Sequence, residues 1–348
     1  MMKAVRVHEH GDFGVLKLEE VAQIHPGTGE VLVRVAWSAL NHLDTWVRRG
    51  VPGHKFPLPI TTGCDFSGVI AECGDGVSGW DVGRRVCVNP GFSCGSCPQC
   101  QAGKENLCRE YGIYGESTDG GNAEFAVVKA ESLIAVPDEF PLDLAAAFPL
   151  TYLTAWHMLV GRCGVRAGDK VLVHAAGSGV SVAATQIAKY FGAMVMVTAG
   201  TDEKVKKGLG NGADHGTNYR EQDWPNQART WAGGSKFDII VDHVGADTLP
   251  AGIRLLAKGG QIVICGVTSG AEIGLNFSPI FFKSLSIHGS TMGEMAEMHE
   301  VASLVWEHKL RPVIDSRFKL EEVASAHQRV SERAVFGKVL LEVDSSQG

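Results

Sequence analysis

Four cysteines, Cys94, Cys97, Cys100 and Cys108, fall within the stretch GFSCGSCPQCQAGKENLCRE. Their C-x2-C-x2-C-x7-C spacing lets one short lobe wrap four thiolates tetrahedrally around a zinc ion. A closed four-sulfur shell leaves no open coordination position, so such a metal folds a loop and performs no chemistry. A ferredoxin run also begins C-x2-C-x2-C, but its fourth cysteine follows after three residues and precedes proline. Here the gap is seven residues and Arg109 follows Cys108. The other five cysteines are scattered, which sets the cluster apart from unrelated buried thiols. One structural zinc per chain is the expectation.

A second chemical signal lies in KVLVHAAGSGVSVAATQIAKYFGA, which has the layout of a dinucleotide fingerprint: strand, tight turn of small residues, helix. Backbone N–H groups at the helix start would cradle a pyrophosphate, and Ala176, Gly177, Ser178, Gly179 and Val180 form that turn. The literal G-x-G-x-x-G is absent, and its three positions read as Ala176, Ser178 and Ser181, all small. The competing reading is a generic strand-helix turn. The next strand ends in Thr198-Ala199-Gly200, with Asp202 and Glu203 only afterwards. An acid at that tip would accept the ribose 2′-hydroxyl and repel a 2′-phosphate. With none there, and with Lys204 and Tyr219 nearby, NADPH is expected in preference to NADH. Lys204 reads equally well as a solvated helix lysine.

The elements that must position these groups follow from pattern. Residues 1–150 read as mostly β, with EVLVRVAWSAL and FSGVIAECG separated by glycine-proline turns. From 151 to 290, short apolar strands (VLVHAA, MVMVTAG, FDIIVDHVG, GGQIVICGV) alternate with helices, the pattern of a parallel sheet covered on both faces. Residues 291–348 pass through a helix to a last strand, GKVLLEV, which is expected to return to the first domain. The chain of 348 residues, 45% hydrophobic and 20% charged, suits a two-domain soluble protein. Its net charge of −7 argues against nucleic acid or an anionic membrane as the main partner. No window approaches the ~18 apolar residues of a membrane span. The N-terminus lacks a signal-peptide core, and the cysteine usage fits a reducing compartment, so cytoplasm is expected.

The cysteine lobe, the interrupted β domain and the AAGSGVSVAATQIAK stretch together resemble the medium-chain dehydrogenase/reductase superfamily. The resemblance implies an α/β fold: a GroES-like β domain plus a doubly wound parallel-sheet (Rossmann) nucleotide-binding domain. Zinc alcohol dehydrogenases of that family carry G-x-C-H-x-D, G-H-E-x-x-G and a third ligand before the nucleotide domain. Here the first segment reads SALNHLD, with Asn41 at the cysteine position, followed by His42 and Asp44. The second reads GCDFSG, with Cys64 for histidine and Asp65 for glutamate, and the third offers Leu150. A catalytic zinc needs three protein ligands and an open site, and that set does not supply them. A rearranged site of Cys64, His42 and Asp65 is the alternative.

Asn41 and the strand ending are similar to the zinc-free quinone oxidoreductase and enoyl reductase branch, whose typical members lack the cysteine lobe. The resemblance places Thr154 beside the nicotinamide, Val267 at its carboxamide and Lys338 facing the phosphates. Hydride would pass from nicotinamide C4 into the cleft between domains. Asn41 could donate to a substrate oxygen, His42 could relay a proton, and Asp44 could hold the loop. Their plainer readings are a helix cap for Asp44 and a solvated loop residue for His42. The expected activity is NADPH-dependent reduction of an activated double bond or quinone. The alternatives are an alcohol dehydrogenase or ketone reductase of the zinc-containing type, and an NADPH-binding sensor or interaction protein without significant turnover. The partner is a small-molecule substrate, with no nucleic acid and no membrane. The resemblance also implies that SLSIHGS near residue 287 pairs across a two-fold axis, hence a homodimer or homotetramer.

Overall fold

In the strand Glu30–Leu40, Val31, Val33 and Val35 alternate inward and are fully buried. Each such side chain removed from water contributes about 1.5–3 kcal/mol. They pack against Phe66, Ile70, Val86, Val88 and Val128 in one core. The computed structural model describes residues 1–221, 223–234 and 236–344. It divides into two units: Met1–Leu150 with Glu294–His308 and Pro312–Gly348, and Thr151–Gly293 with Lys309–Arg311.

The first unit is built around Glu30–Leu40, which pairs antiparallel with three strands: Asp65–Cys73, Phe125–Lys129 and the returning Lys338–Glu342. Their registers matter for function. Leu40 lies opposite Val339 and Ala39 lies opposite both Leu340 and Asp65. Asn41, Asp65 and Lys338 are therefore delivered to one end of this sheet by backbone pairing alone. Gly91–Phe92 pairs with Gly112–Ile113 at the base of the cysteine lobe.

The second unit is a six-stranded, wholly parallel sheet. Its spatial order is His215–Asn218, Met194–Ala199, Lys170–Val173, Phe237–Asp242, Leu256–Ile264, Ser286–Gly289: third, second, first, fourth, fifth, sixth. The runs Val171–Val173, Val195–Val197 and Ile239–Val241 are fully buried, as strands covered on both faces must be. This is the doubly wound α/β arrangement, and its ligand crevice opens where the order reverses, beyond the carboxyl ends of the first and fourth strands. Ser286–Gly289, the segment expected to pair across a two-fold axis, forms an edge of the sheet. Among the described residues no helix is long and apolar enough to cross a membrane.

One buried histidine is expected to make the first unit acid-sensitive. His327, on the helix Val323–Ser331, is fully buried, and among the described residues neither ring nitrogen finds a partner. Burial, reinforced by the Arg48 guanidinium, pushes its pKa from 6.5 down to about 3. The folded form thus keeps the ring neutral where the unfolded chain takes up a proton. Its contribution to stability is complete above pH 6.5 and is lost as the pH falls toward 3, at up to about 1.4 kcal/mol per pH unit. Denaturant titrations between pH 7 and 4 should show this slope, and His327→Leu should flatten it. An unaltered slope in the variant would assign the sensitivity elsewhere.

Candidate active site and zinc centre

At the sheet end where Asn41, Asp65 and Lys338 converge, their side chains form one buried hydrogen-bonded cluster. Lys338 Nζ donates to Asn41 Oδ1 at 2.6 Å and to Asp65 Oδ2 at 2.9 Å. An ammonium can only donate, so it fixes the Asn41 amide with its oxygen toward Lys338. The Asn41 NH2 then faces Asp65 Oδ2 at 2.8 Å and Cys64 Sγ at 3.2 Å. Asp65 Oδ1 accepts the Leu150 N–H at 2.8 Å, in the first turn of the helix Pro149–Trp156. Asp65 thereby joins four separate segments: its own strand, the Asn41 loop, the returning strand and this helix start.

Asp44 stands behind the cluster. Its carboxylate accepts the Asn41 N–H at 2.7 Å and the Gly63 N–H at 3.0 Å, so it caps the helix His42–Arg49 and also ties two loops together. Burial outweighs these hydrogen bonds and raises its pKa to about 6. Burial, and then the nearby Asp44 and Asp65 carboxylates, push the Cys64 thiol well above its ordinary range. His42 begins the helix, is exposed, and lies edge-on to Trp46 with ring centroids 5.4 Å apart. It is not part of the buried cluster.

The four lobe cysteines do meet. Their sulfurs all lie within 4.8 Å of one another. Separations of 3.9 Å (Cys94–Cys100), 3.5 Å (Cys97–Cys100) and 3.5 Å (Cys94–Cys108) bracket the ~3.8 Å edge of a tetrahedron with 2.3 Å Zn–S bonds. Backbone N–H groups of Ser96 and Cys97 point at Cys94 and hold its thiol down to about 6, the form a metal requires. The Ser93 hydroxyl lowers Cys100 in the same way. Among the described residues this is the one group of three or more His, Cys, Asp or Glu whose ligand atoms converge in this manner.

In the second unit the turn Ala176–Ser178 follows the first strand, and Gly179 and Val180, expected within it, begin the next helix. Ala175 takes a positive φ of 55°, and the Ala176 N–H donates to Thr198 O at 2.8 Å, which seats the turn on the neighbouring strand. Ser178 precedes the helix Gly179–Tyr190, and its side chain takes none of the first-turn N–H groups, which suits them to an anionic ligand. At the second strand's tip, Ala199 O accepts the Tyr219 N–H at 2.8 Å. A methyl group added at Gly200 would lie 2.7 Å from the Tyr219 hydroxyl and 3.4 Å from Arg220 Nε, so both reach over this tip. Asp202 turns to Asn218 Nδ2 at 3.0 Å, and Glu203 pairs with Lys207 at 2.8 Å. Lys204 is half-buried in the first turn of the helix Asp202–Gly210, where its N–H donates to Thr201 Oγ1. Thr154 is buried against Met292, and Val267 is exposed beside Gly245.

Residues 27–138 match the family described as "Alcohol dehydrogenase GroES-like domain", and residues 179–307 match "Zinc-binding dehydrogenase". The chain is 32% identical to human quinone oxidoreductase, covering 98% of each sequence. It is 31% identical to acryloyl-coenzyme A reductase of Sulfurisphaera tokodaii, over 93% of this chain and 96% of that one. A solved NAD-dependent alcohol dehydrogenase superposes with a TM-score of 0.95 at 46% identity, over 99% of this chain and all of the other. The chain belongs to the medium-chain dehydrogenase/reductase superfamily.

As a member of that superfamily the protein is an NAD(P)-dependent oxidoreductase, combining a GroES-like domain with a Rossmann-like domain and using a nucleotide cofactor and zinc. Several groups at its sites escape a reading by motif. Arg220 follows Tyr219 directly, yet only the fold carries it to Gly200. At the crevice between the first and fourth strands, Ser181 Oγ donates to His174 O at 2.6 Å and meets His243 Nε2 at 2.8 Å. Since the single hydroxyl proton goes to the carbonyl, His243 must be the donor in that second bond. Neighbouring Asp242 organises the following turn by accepting from Val244 N, Gly245 N and Thr248 Oγ1.

Proposed function

We propose that the protein is an NADPH-dependent reductase of an activated carbon–carbon double bond or a quinone, with no metal at the hydride-transfer site. The observation that carries this reading is the Lys338 ammonium held between Asn41 Oδ1 and Asp65 Oδ2. At the positions where zinc alcohol dehydrogenases of the family place ligands, this chain offers an amide engaged on both sides, a thiol kept neutral by burial and the backbone N–H of Leu150. Those groups do not fit a catalytic zinc, and a cation already sits among them.

The chemistry follows from that charge arrangement. An unactivated alcohol or ketone develops an alkoxide that demands stronger stabilisation, the job zinc does elsewhere in this family. An enone needs less: hydride adds with its electron pair to the β carbon, the π pair moves onto oxygen, and a proton then joins the α carbon. The enolate oxygen can be held by hydrogen-bond donors alone. Lys338 supplies a fixed positive charge, and the Asn41 NH2 serves once a substrate oxygen displaces Asp65 or Cys64 from it, while exposed His42 can pass the proton from solvent. NADPH, when bound, supplies the hydride and leaves oxidised. Relatives named for quinone and acryloyl-coenzyme A reduction support this substrate class.

The 46% identical structure named as an NAD-dependent alcohol dehydrogenase favours a second reading, alcohol oxidation with NAD. Assays with enones and quinones against NADPH, and with alcohols against NAD, separate the two. Turnover confined to alcohols with NAD would overturn the first reading, and tight NADPH binding without turnover of any substrate would favour a sensor.

Cofactor choice rests on the strand tip, where Ala199 and Gly200 carry no acid and Tyr219 and Arg220, which reach over Gly200, offer donors to a 2′-phosphate. Ala199→Asp should lower the NADPH-to-NADH ratio of kcat/KM by at least about tenfold, the effect of ~1.4 kcal/mol of charge repulsion. A ratio that does not move would defeat this assignment.

A further inference from the structure

The cysteine lobe reaches outside itself through Glu105, which lies between Cys100 and Cys108. Its carboxylate accepts the Met295 N–H at 3.2 Å, across 190 residues of sequence. Asn89 Nδ2 adds a contact to Met295 Sδ, also at 3.2 Å. Met295 opens the helix Met295–Trp306, whose preceding N–H, that of Glu294, is taken locally by Glu297 at 2.9 Å. The first N–H groups of a helix have no partner within it, and a carboxylate there is further favoured by the helix dipole. One of these groups is thus satisfied locally and the next by the lobe.

The place of Met295 in the chain gives the contact its meaning. The second unit ends at Gly293, and the first resumes at Glu294. Just before this crossing Met292 is buried, with a φ of 47° in the left-handed region that non-glycine residues seldom occupy. Its sulfur lies 4.0 Å from Thr154 Oγ1. Such backbone persists only where its surroundings over-determine it. The crossing is held on one side by Met292 against Thr154 and on the other by Met295 against Glu105 and Asn89.

We propose that Glu105 is a positioning residue through which the zinc lobe holds the Met292–Met295 crossing, so that the metal supports dinucleotide binding as well as its own loop. This rests on the second unit being the dinucleotide site, with Thr154 near the nicotinamide. Glu105 is not a metal ligand, so its role separates cleanly from zinc binding.

The test uses the full-length protein with Glu105→Ala and Glu105→Gln, measuring zinc content, NADPH affinity by nicotinamide fluorescence, and amide exchange over residues 290–298. Both variants should retain one zinc per chain. Glu105→Ala should weaken NADPH about tenfold and speed exchange at Met295, as expected for losing a charge-assisted hydrogen bond. Glu105→Gln, whose amide oxygen still accepts, should recover most of both. Chelating the zinc from the unaltered protein should reproduce the loss and add little to Glu105→Ala. Unchanged affinity in Glu105→Ala, loss of its zinc, or undisturbed exchange over 290–298 after chelation would each overturn the proposal. If the unaltered protein binds neither NADPH nor NADH, the dinucleotide reading fails, and the exchange measurements alone then decide whether the lobe holds the crossing.

Discussion

Replacing Lys338 by methionine is expected to lower stability by about 3–5 kcal/mol and turnover by at least ~100-fold. The stability loss follows from burial. Asp65 is fully enclosed, and its Oδ2 would keep only the Asn41 N–H after losing the ammonium. The loss of turnover has a separate origin: without Lys338 the Asn41 amide is no longer held with its oxygen to one side and its NH2 to the other. Adding Asp65→Asn to the methionine variant removes the uncompensated charge, so it should restore much of the stability and little of the activity. Urea denaturation with steady-state rates on both variants and the unaltered protein checks this. A Lys338→Met protein of normal stability and rate would dissolve the cluster as an explanation of anything.

Cys97→Ser is the second large effect. Three remaining thiolates and a hydroxyl do not close a tetrahedral sulfur shell, so zinc per chain should fall to near zero. Each kcal/mol of stability lost with the structural metal would lower Tm by roughly 2–4 °C, so a clear drop in Tm is expected. The damage should spread beyond the lobe, because Glu105 and Asn89 hold the start of the helix Met295–Trp306. Zinc retained at the level of the unaltered protein would show that Cys97 is not a ligand.

The cysteine lobe was legible in the sequence because a metal shell built from one loop writes itself as local spacing. The parallel sheet was legible for a similar reason, since strands buried on both faces need apolar runs such as Val171–Val173. The buried cluster was legible only in part. Asn41, Cys64 and Asp65 stood out at family ligand positions, but Lys338, expected to face the cofactor phosphates, lies 297 residues from Asn41 and is buried against it. Only the register of the returning strand, with Val339 opposite Leu40, brings them together. Asn41 was read as a donor toward substrate; in the fold its NH2 is already engaged by Asp65 and Cys64, so a substrate oxygen must compete for it. Arg220 and the Ser181–His243 pair were missed because strand tips meet in space without any spacing rule along the chain.

Metal content of the active enzyme tests the central claim most directly. Purified protein that reduces an enone or quinone with NADPH should contain one zinc per chain, all of it lost in Cys97→Ser. Two zinc ions per chain, with turnover disappearing when the second is removed and the lobe zinc retained, would contradict it.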